Sequence, residues 1–405
     1  LLCALAALAL LACTIADAQP ARWNPDQPGE SLEVSLVTVG PGAVYWQRFG
    51  HNAIRVRDTA RGAEVLYNYG IFDFSEADFF AKFIRGEMTY RMAARRPADD
   101  LAEYRDENRR VVEQVLQLSP AQRLALAQFL AWNARPENAA YRYDYFRANC
   151  STKVRDALDT ALGGALRAAS DGRSRGWTQR MHARRLTAPD LLVYLGVHAG
   201  LGPSTDRPID FWDEMFVPME VERHVRELRV RDDSGALVPL VGAERVLLEG
   251  AIAEPEAPPA WRWHFLAVGL VLAGLLAWTG RGSGPRRRAF GALAGMLWLL
   301  AGLGGLVLGG LWFGTAHDAA WRNHNIALFN PLCLLLLPAA VRALRGRDPS
   351  GRFAGGVALV VIAASMLVWV GLALPGARQD LMDWVALWLP VHLAAWRNLR
   401  PDPAR

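Results

Sequence analysis

Lysine is almost missing from this 405-residue chain: Lys82 and Lys153 are the only two among 45 basic residues, so arginine carries nearly all the positive charge behind a formal net of +5. No basic stripe is interleaved with aromatic residues, which leaves nucleic acid without a binding surface. Cysteine is scarce as well, with four in total. Cys3 and Cys13 fall in an N-terminal apolar run and Cys333 in a later one, so Cys150 stands alone between them. That isolation excludes a disulfide framework for the intervening stretch and leaves its thiol as either a buried hydrophobe or a nucleophile. No internal repeat is visible. Apolar residues make up 52% of the chain and the mean hydropathy is +0.08. These values fit neither a disordered protein nor an ordinary soluble enzyme, and instead suggest a soluble part joined to a membrane part.

The first residues, "LLCALAALALLACTIADAQP", read as a secretory signal. The small-residue triplet Ala16-Asp17-Ala18 predicts cleavage before Gln19 and a signal over residues 1–18. An uncleaved anchor and lipidation at Cys13 are the alternatives, although Leu11 is bulky where lipidation prefers a small residue. Residues 19–253 then read as one globular exported domain, 254–260 ("EPEAPPA") as a short stiff linker, 261–396 as a membrane domain and 397–405 as a tail. Five apolar segments are expected: about 261–278, 289–313, 326–341, 353–374 and 381–396. Arginines crowd the first and third loops between them and the tail. By the positive-inside rule this puts the large domain outside and the C-terminus in the cytoplasm. "GLGGLVLGGL" in the second segment mimics a nucleotide loop, but glycines inside an apolar helix usually serve close packing.

Within the exported domain, "SLEVSLVTVG", "GHNAIRVRD" and "AEVLYNYGIFDF" alternate like strands. Helical signals follow: Ser75 before "EADFFAKFI", the run Ala98 to Leu118, and a capping box at Ser119-Pro120 with Gln122. The order predicts a small antiparallel sheet followed by helices, an α+β class.

Val154, Ala157, Leu158, Ala161 and Leu162 mark one face of a helix, and Asn149 suits its N-cap. Cys150 then falls in the first turn, where free N–H groups and the helix dipole favour a thiolate. The same N–H groups suit an oxyanion formed by attack on an acyl carbonyl. His51, first in its strand, is the leading base for such a thiol; His182, His198 and His224 have less suggestive surroundings. On residue types alone, a packing cysteine and a core histidine remain the alternative to this dyad.

"YWQRFGHNAIRV", "LYNYGIFDF", "PENAAYRYDYFRANCSTKVRD" and "WRNHNIALFNPL" together resemble the Lnb-type bacterial lipoprotein N-acyltransferase family. The resemblance covers nearly the whole chain after the signal. It implies an α+β, permuted papain-like (NlpC/P60-like) periplasmic domain, with histidine before cysteine, followed by an α-helical membrane domain of about five spans in the inner membrane. It also implies Cys150 as nucleophile and His51 as general base, with Asn68 the first choice to orient the imidazole and Asp73 the second. Tyr143, Asp144 and Asn149 are expected to line the approach to the thiol. His317, Arg322, Asn323 and Asn325 in the loop "GTAHDAAWRNHNIALFNPL" are expected to meet a lipid headgroup or lipoprotein, and a zinc site at His317 and His324 is a weaker reading. The implied partners are a membrane phospholipid as acyl donor and a lipoprotein as acceptor, with no cofactor and no metal. A cell-wall peptidase or amidase and a non-catalytic envelope scaffold are the competing functions.

Overall fold

Seven of the eight residues of strand β1 (Leu32–Val39) are buried, so the sheet it belongs to is covered on both faces. The computed structural model describes residues 29–72, 78–371 and 379–401. They form two compact units: one within residues 1–177 and 208–256, the other within 178–207 and 257–405.

The first unit is α+β. Its strands are β1, β2 (His51–Asp58), β3 (Ala63–Ile71), β4 (Thr89–Arg95), β5 (Val111–Leu116), β6 (Ala140–Arg142), and a distal hairpin of β7 (Arg229–Arg231) and β8 (Leu237–Pro239) leading to β9 (Val241–Leu248). The main sheet is antiparallel in the order β6-β4-β3-β2-β1-β5-β9. Strand alternation sends Val34, Leu36, Ile54, Val56, Val65 and Tyr67 into the larger core, and Val37, Val39, Ala53 and Leu66 into a smaller one on the opposite face. Helix α1 (Phe79–Arg85) precedes β4, and α2 (Pro97–Asp106) follows it, with Tyr104 in the smaller core. Helices α3 (Pro120–Asn133) and α4 (Cys150–Ala161) pack on the larger face. The expected capping box at Ser119 and Gln122 is formed.

The run Ala98 to Leu118 is not one helix. It is α2, a turn in which Asn108 takes a positive φ of 55°, and then β5. "VVEQVL" is rich in β-branched residues, and its buried place between β1 and β9 outweighs the helical period of the residues before it. The sheet is therefore larger than the sequence suggested. Residues 73–77, including Ser75 and Asp73, lie outside the described residues, as do 1–28 and the end of the fourth apolar segment.

In the second unit, helices α5 (Gln179–Thr187) and α6 (Leu191–Gly200) join the apolar region. Residues 178–207 thus pack apart from most of the sequence range expected for the exported domain. Among the described residues, four segments are long and apolar enough to cross a membrane: α7 (Arg262–Gly280), α8 (Pro285–Gly314), His324–Leu344 and α9 (Arg352–Gly371). The fifth expected span is α10 (Met382–Leu399). Its 18 residues include Asp383, Pro390 and His392, so it falls short of an uninterrupted apolar span. Three of the glycines of "GLGGLVLGGL", Gly302, Gly304 and Gly305, serve close approach: a Cβ on Gly305 would lie 2.1 Å from the carbonyl oxygen of Phe329.

Candidate active site

Helix α4 begins where the sequence placed it. Asn149 has an extended backbone, and its Oδ1 accepts from the N–H groups of Ser151 and Thr152, both at 2.9 Å. The Thr152 hydroxyl accepts in return from the Asn149 N–H, completing a capping box. The Asn149 amide also donates to the carbonyls of Tyr145 and Phe216, which fixes the loop before the thiol. Asn149 therefore supports the site by holding the helix start.

This start sits against the beginning of β2. Asn52 is fully buried; its amide donates to Thr38 at 2.9 Å and its Oδ1 accepts from the Ser151 hydroxyl at 2.8 Å. The backbone N–H groups of Asn52, Ser151 and Cys150 itself lie near enough to the sulfur to favour its thiolate. The Ser151 N–H is shared with Asn149, leaving those of Asn52 and Cys150 as the better oxyanion donors. On the other side stands Gly70, with φ of +86°; a Cβ there would come within 3.2 Å of the Cys150 Cβ. Glycine is needed at that position by both conformation and space.

Cys150 is partly exposed and unpaired. The helix start was expected to draw its pKa down. The three N–H groups and Arg109 do pull that way, but burial is the larger effect and pushes the thiol above its ordinary value. The resting group is a thiol at neutral pH, so attack requires a base.

His51 occupies the residue before Asn52, at the same end of the sheet. Strand alternation places it with Asn68 on the α2 face, whereas Asn52 faces α4. Its Nε2 lies 2.8 Å from Asn68 Oδ1. Asn68 is buried, and its Nδ2 donates to Asp100 Oδ2 at 2.8 Å, which fixes the amide so that its oxygen faces the imidazole. Nε2 therefore carries the proton, and Nδ1 is the nitrogen left to act as a base. Burial, reinforced by Arg109 and Arg95, lowers the His51 pKa to about 4 despite the opposing hydrogen bond to Asn68. The imidazole is neutral at neutral pH.

Asp100 completes the chain from the first turn of α2. It is fully buried and forms an ion pair with Arg95 at 2.8 Å. Burial raises its pKa to about 6, against the pull of Arg95 and Asn68. Asp100, Arg95, Arg109 and Asn52 escaped the sequence reading. "PADD" looks like acids in a helix first turn, a common dipole pairing, and only the strand register reveals that Asp100 reaches Asn68.

Of the other expected residues, Tyr143 stands near the thiol, whose charge adds to the burial that raises its phenol. Its ring lies 4.1 Å from that of Tyr90. Asp144 closes the turn that leads to Asn149. Its carboxylate accepts from the N–H groups of Phe146 and Arg147 at 2.9 and 2.8 Å, while Arg155 pairs with Asp156 at 2.7 Å. It is a turn residue.

The expected headgroup loop belongs to the second unit. Buried Asn323 donates to the carbonyls of Ala199 and Gly200 at 2.7 and 2.9 Å, and Asn325 to Ala199 at 3.0 Å. Gln379 donates to Asn323 Oδ1 at 2.7 Å. The Nδ2 groups of both amides hold the end of α6, while the buried Asn325 Oδ1 has no hydrogen-bond partner among the described residues. Arg322 and His324 are exposed and His317 is half-buried. Among the described residues, His317 and His324 fall in no cluster suited to a metal.

Two family models match the chain. The Lnb N-terminal periplasmic domain covers residues 19–186, and the Lnb transmembrane domain covers residues 260–374. No curated protein and no solved structure matches it. Together the two matches span well over half of the chain, which belongs to the Lnb family: a periplasmic domain followed by a transmembrane domain, and hence an inner-membrane protein.

Proposed function

We propose that this member of the Lnb family is a thiol-dependent lipoprotein N-acyltransferase with a permuted papain-like periplasmic domain and a cytoplasmic C-terminus. Cys150 Sγ attacks an ester carbonyl of a membrane phospholipid while His51 Nδ1 takes the thiol proton. The oxyanion faces the N–H groups of Asn52 and Cys150. Collapse breaks the ester C–O bond; His51 returns the proton to the departing alcohol, leaving a thioester and a lysophospholipid. The α-amine of a diacylglyceryl-cysteine lipoprotein then attacks the thioester, losing its proton to His51. The amide forms, the C–S bond breaks, and the thiol is restored. Water must be kept from the thioester, since hydrolysis would release a fatty acid instead.

The observation that carries this reading is the Asp100–Asn68–His51 chain, which leaves a neutral imidazole with a free nitrogen at the end of the sheet where Cys150 meets Asn52. The seven-residue linker 254–260 fits a lipid substrate, because at about 3.3 Å per residue it tethers the domain within reach of the bilayer.

The test is mass analysis of lipoproteins, with sequencing of their N-terminal peptide, from cells lacking their own N-acyltransferase and supplied with this protein or its Cys150→Ala form. The expected result is an N-acylated lipoprotein heavier by one acyl chain with the wild type and none with the variant. An acylated amine at unchanged total mass overturns the phospholipid donor in favour of the acceptor's own ester. No acylation overturns transfer, and equal acylation by Cys150→Ala overturns the thiol mechanism.

A further inference from the structure

Helix α1 is turned inside out for a soluble protein. In "FFAKFIR" only Phe79 is buried, while Phe80, Phe83 and Ile84, at spacing i, i+3 and i+4, are 50%, 39% and 66% exposed. An apolar stripe of this spacing ordinarily faces a core. Across the same region, the turn before β2 exposes Tyr45 and Trp46 at 47% and 39%, their rings packed edge to face at 4.7 Å. Tyr45 lies close enough to Tyr90 and Tyr145 for the phenols to interact. The two exposed elements therefore flank one aromatic cluster.

That cluster leads to the thiol. Phe79 packs on Phe72 at 5.8 Å, Phe72 on Tyr90 at 5.1 Å, and Tyr90 on Tyr143 at 4.1 Å, beside Cys150. The basic residues Lys82 and Arg85 occupy the last turn of α1, off the apolar stripe, with Arg85 3.0 Å from Glu87. Aromatic and aliphatic side chains bordered by long basic ones match the layering of a bilayer interface, with acyl chains below and anionic phosphates above. A protein partner would fit the apolar stripe, but not its joint occurrence with a tyrosine and tryptophan turn in a chain that carries membrane spans.

We propose that α1 and the Tyr45–Trp46 turn form a lipid-docking rim that enters an anionic phospholipid surface and delivers an acyl chain along the aromatic cluster to Cys150. The docking stands without the transfer chemistry; the delivery rests on the proposed function.

The test uses the full chain reconstituted in phosphatidylglycerol-containing nanodiscs, in the Cys150→Ala background so that turnover plays no part. A fluorophore is placed at Ile84→Cys or at Ser234→Cys, an exposed site in the distal β7–β8 hairpin, and the signal of the labelled parent is subtracted. Lipids with a nitroxide in mid-chain should quench position 84 at least about twofold more than position 234. Equal quenching overturns the docking. In the otherwise wild-type chain, the triple variant Phe80→Ser, Phe83→Ser, Ile84→Ser should lower acyl transfer from membrane lipid about tenfold, while alkylation of Cys150 by iodoacetamide stays within about twofold. Unchanged transfer overturns the delivery. Quenching at position 84 with no transfer by the wild type would leave the docking standing and sink the proposed function.

Discussion

The two units each hold a cluster of buried asparagines, and the clusters differ in what their amides face. In the first unit Asn68 offers its oxygen to an imidazole and its nitrogen to a carboxylate, so a titratable ring is held by one nitrogen with the other left over. In the second, Asn323 and Asn325 meet the last carbonyls of α6, and Gln379 fills the remaining acceptor on Asn323. One network ends on a group that can exchange a proton. The other spends its donors on backbone carbonyls. Residue type was the same in both, so the identity of the terminal partner separates chemistry from architecture.

Substitution should split the two clusters. His51→Ala is expected to lower acyl transfer by about 10²–10⁴-fold, the usual range for losing a general base, and to leave Cys150 alkylated only slowly at neutral pH. Asn68→Ala should cost less, about tenfold, because the ring remains but its tautomer and orientation are no longer fixed. Asn323→Ala should do the reverse. It strands the Gly200 carbonyl and removes one acceptor of the Gln379 amide, while Asn325 still serves Ala199 and Leu201 still serves Gln379, costing about 1–3 kcal/mol of stability, with turnover per folded molecule unchanged. Thermal unfolding and lipoprotein mass analysis on the same preparations would separate the outcomes. An Asn323→Ala protein of normal stability and lost activity would return the loop to the list of substrate contacts.

The sequence made the elements nearest the site readable for local reasons. Alternation marked β1, β2 and β3, the Asn149 cap located α4, and the lone cysteine fell in its first turn. His51 and Asn68 were accessible because each lies in a strand whose period is two. What failed depended on distance. The strand β5 was hidden behind the helical start of its own run, since its identity is set by neighbours 72 to 80 residues away in β1 and about 130 away in β9. Asp100 looked like a helix-start acid because its partner Asn68 is 32 residues distant. For residues 177–222, whose role the sequence left open, the partners lie still further off: Arg184 pairs with Asp383 at 2.9 Å across 199 positions. Local chemistry finds caps and periods, whereas ion pairs in a folded interior need the fold first.

The protonation states bear on the proposed site as well. With the thiol raised by burial and the imidazole held at about 4, both groups rest neutral rather than as thiolate and imidazolium. Alkylation of Cys150 by iodoacetamide should therefore rise about tenfold per pH unit from pH 7 to 9, following the thiolate fraction. A rate already flat above pH 5 would mean a preformed thiolate–imidazolium pair.

Asp100 gives the smallest effect and the clearest sign. Its folded pKa, about 6, lies above the ordinary carboxyl value of 3.8, so folding favours the protonated form. The stability this supplies is fully present below the ordinary value and is lost as the pH rises through about 6. Asp100→Asn keeps an acceptor for the Asn68 amide but cannot ionise. Relative to wild type, its melting temperature should therefore improve from pH 5 to pH 8, even if Arg95 loses its partner and the absolute value drops. Its transfer activity should also lack any limb near pH 6, because the orientation of Asn68 no longer depends on a titrating group. A melting difference that is flat across this range would show that Asp100 is already ionised at pH 5, with Arg95 outweighing burial, and the link between the buried carboxyl and the imidazole would then be purely geometric.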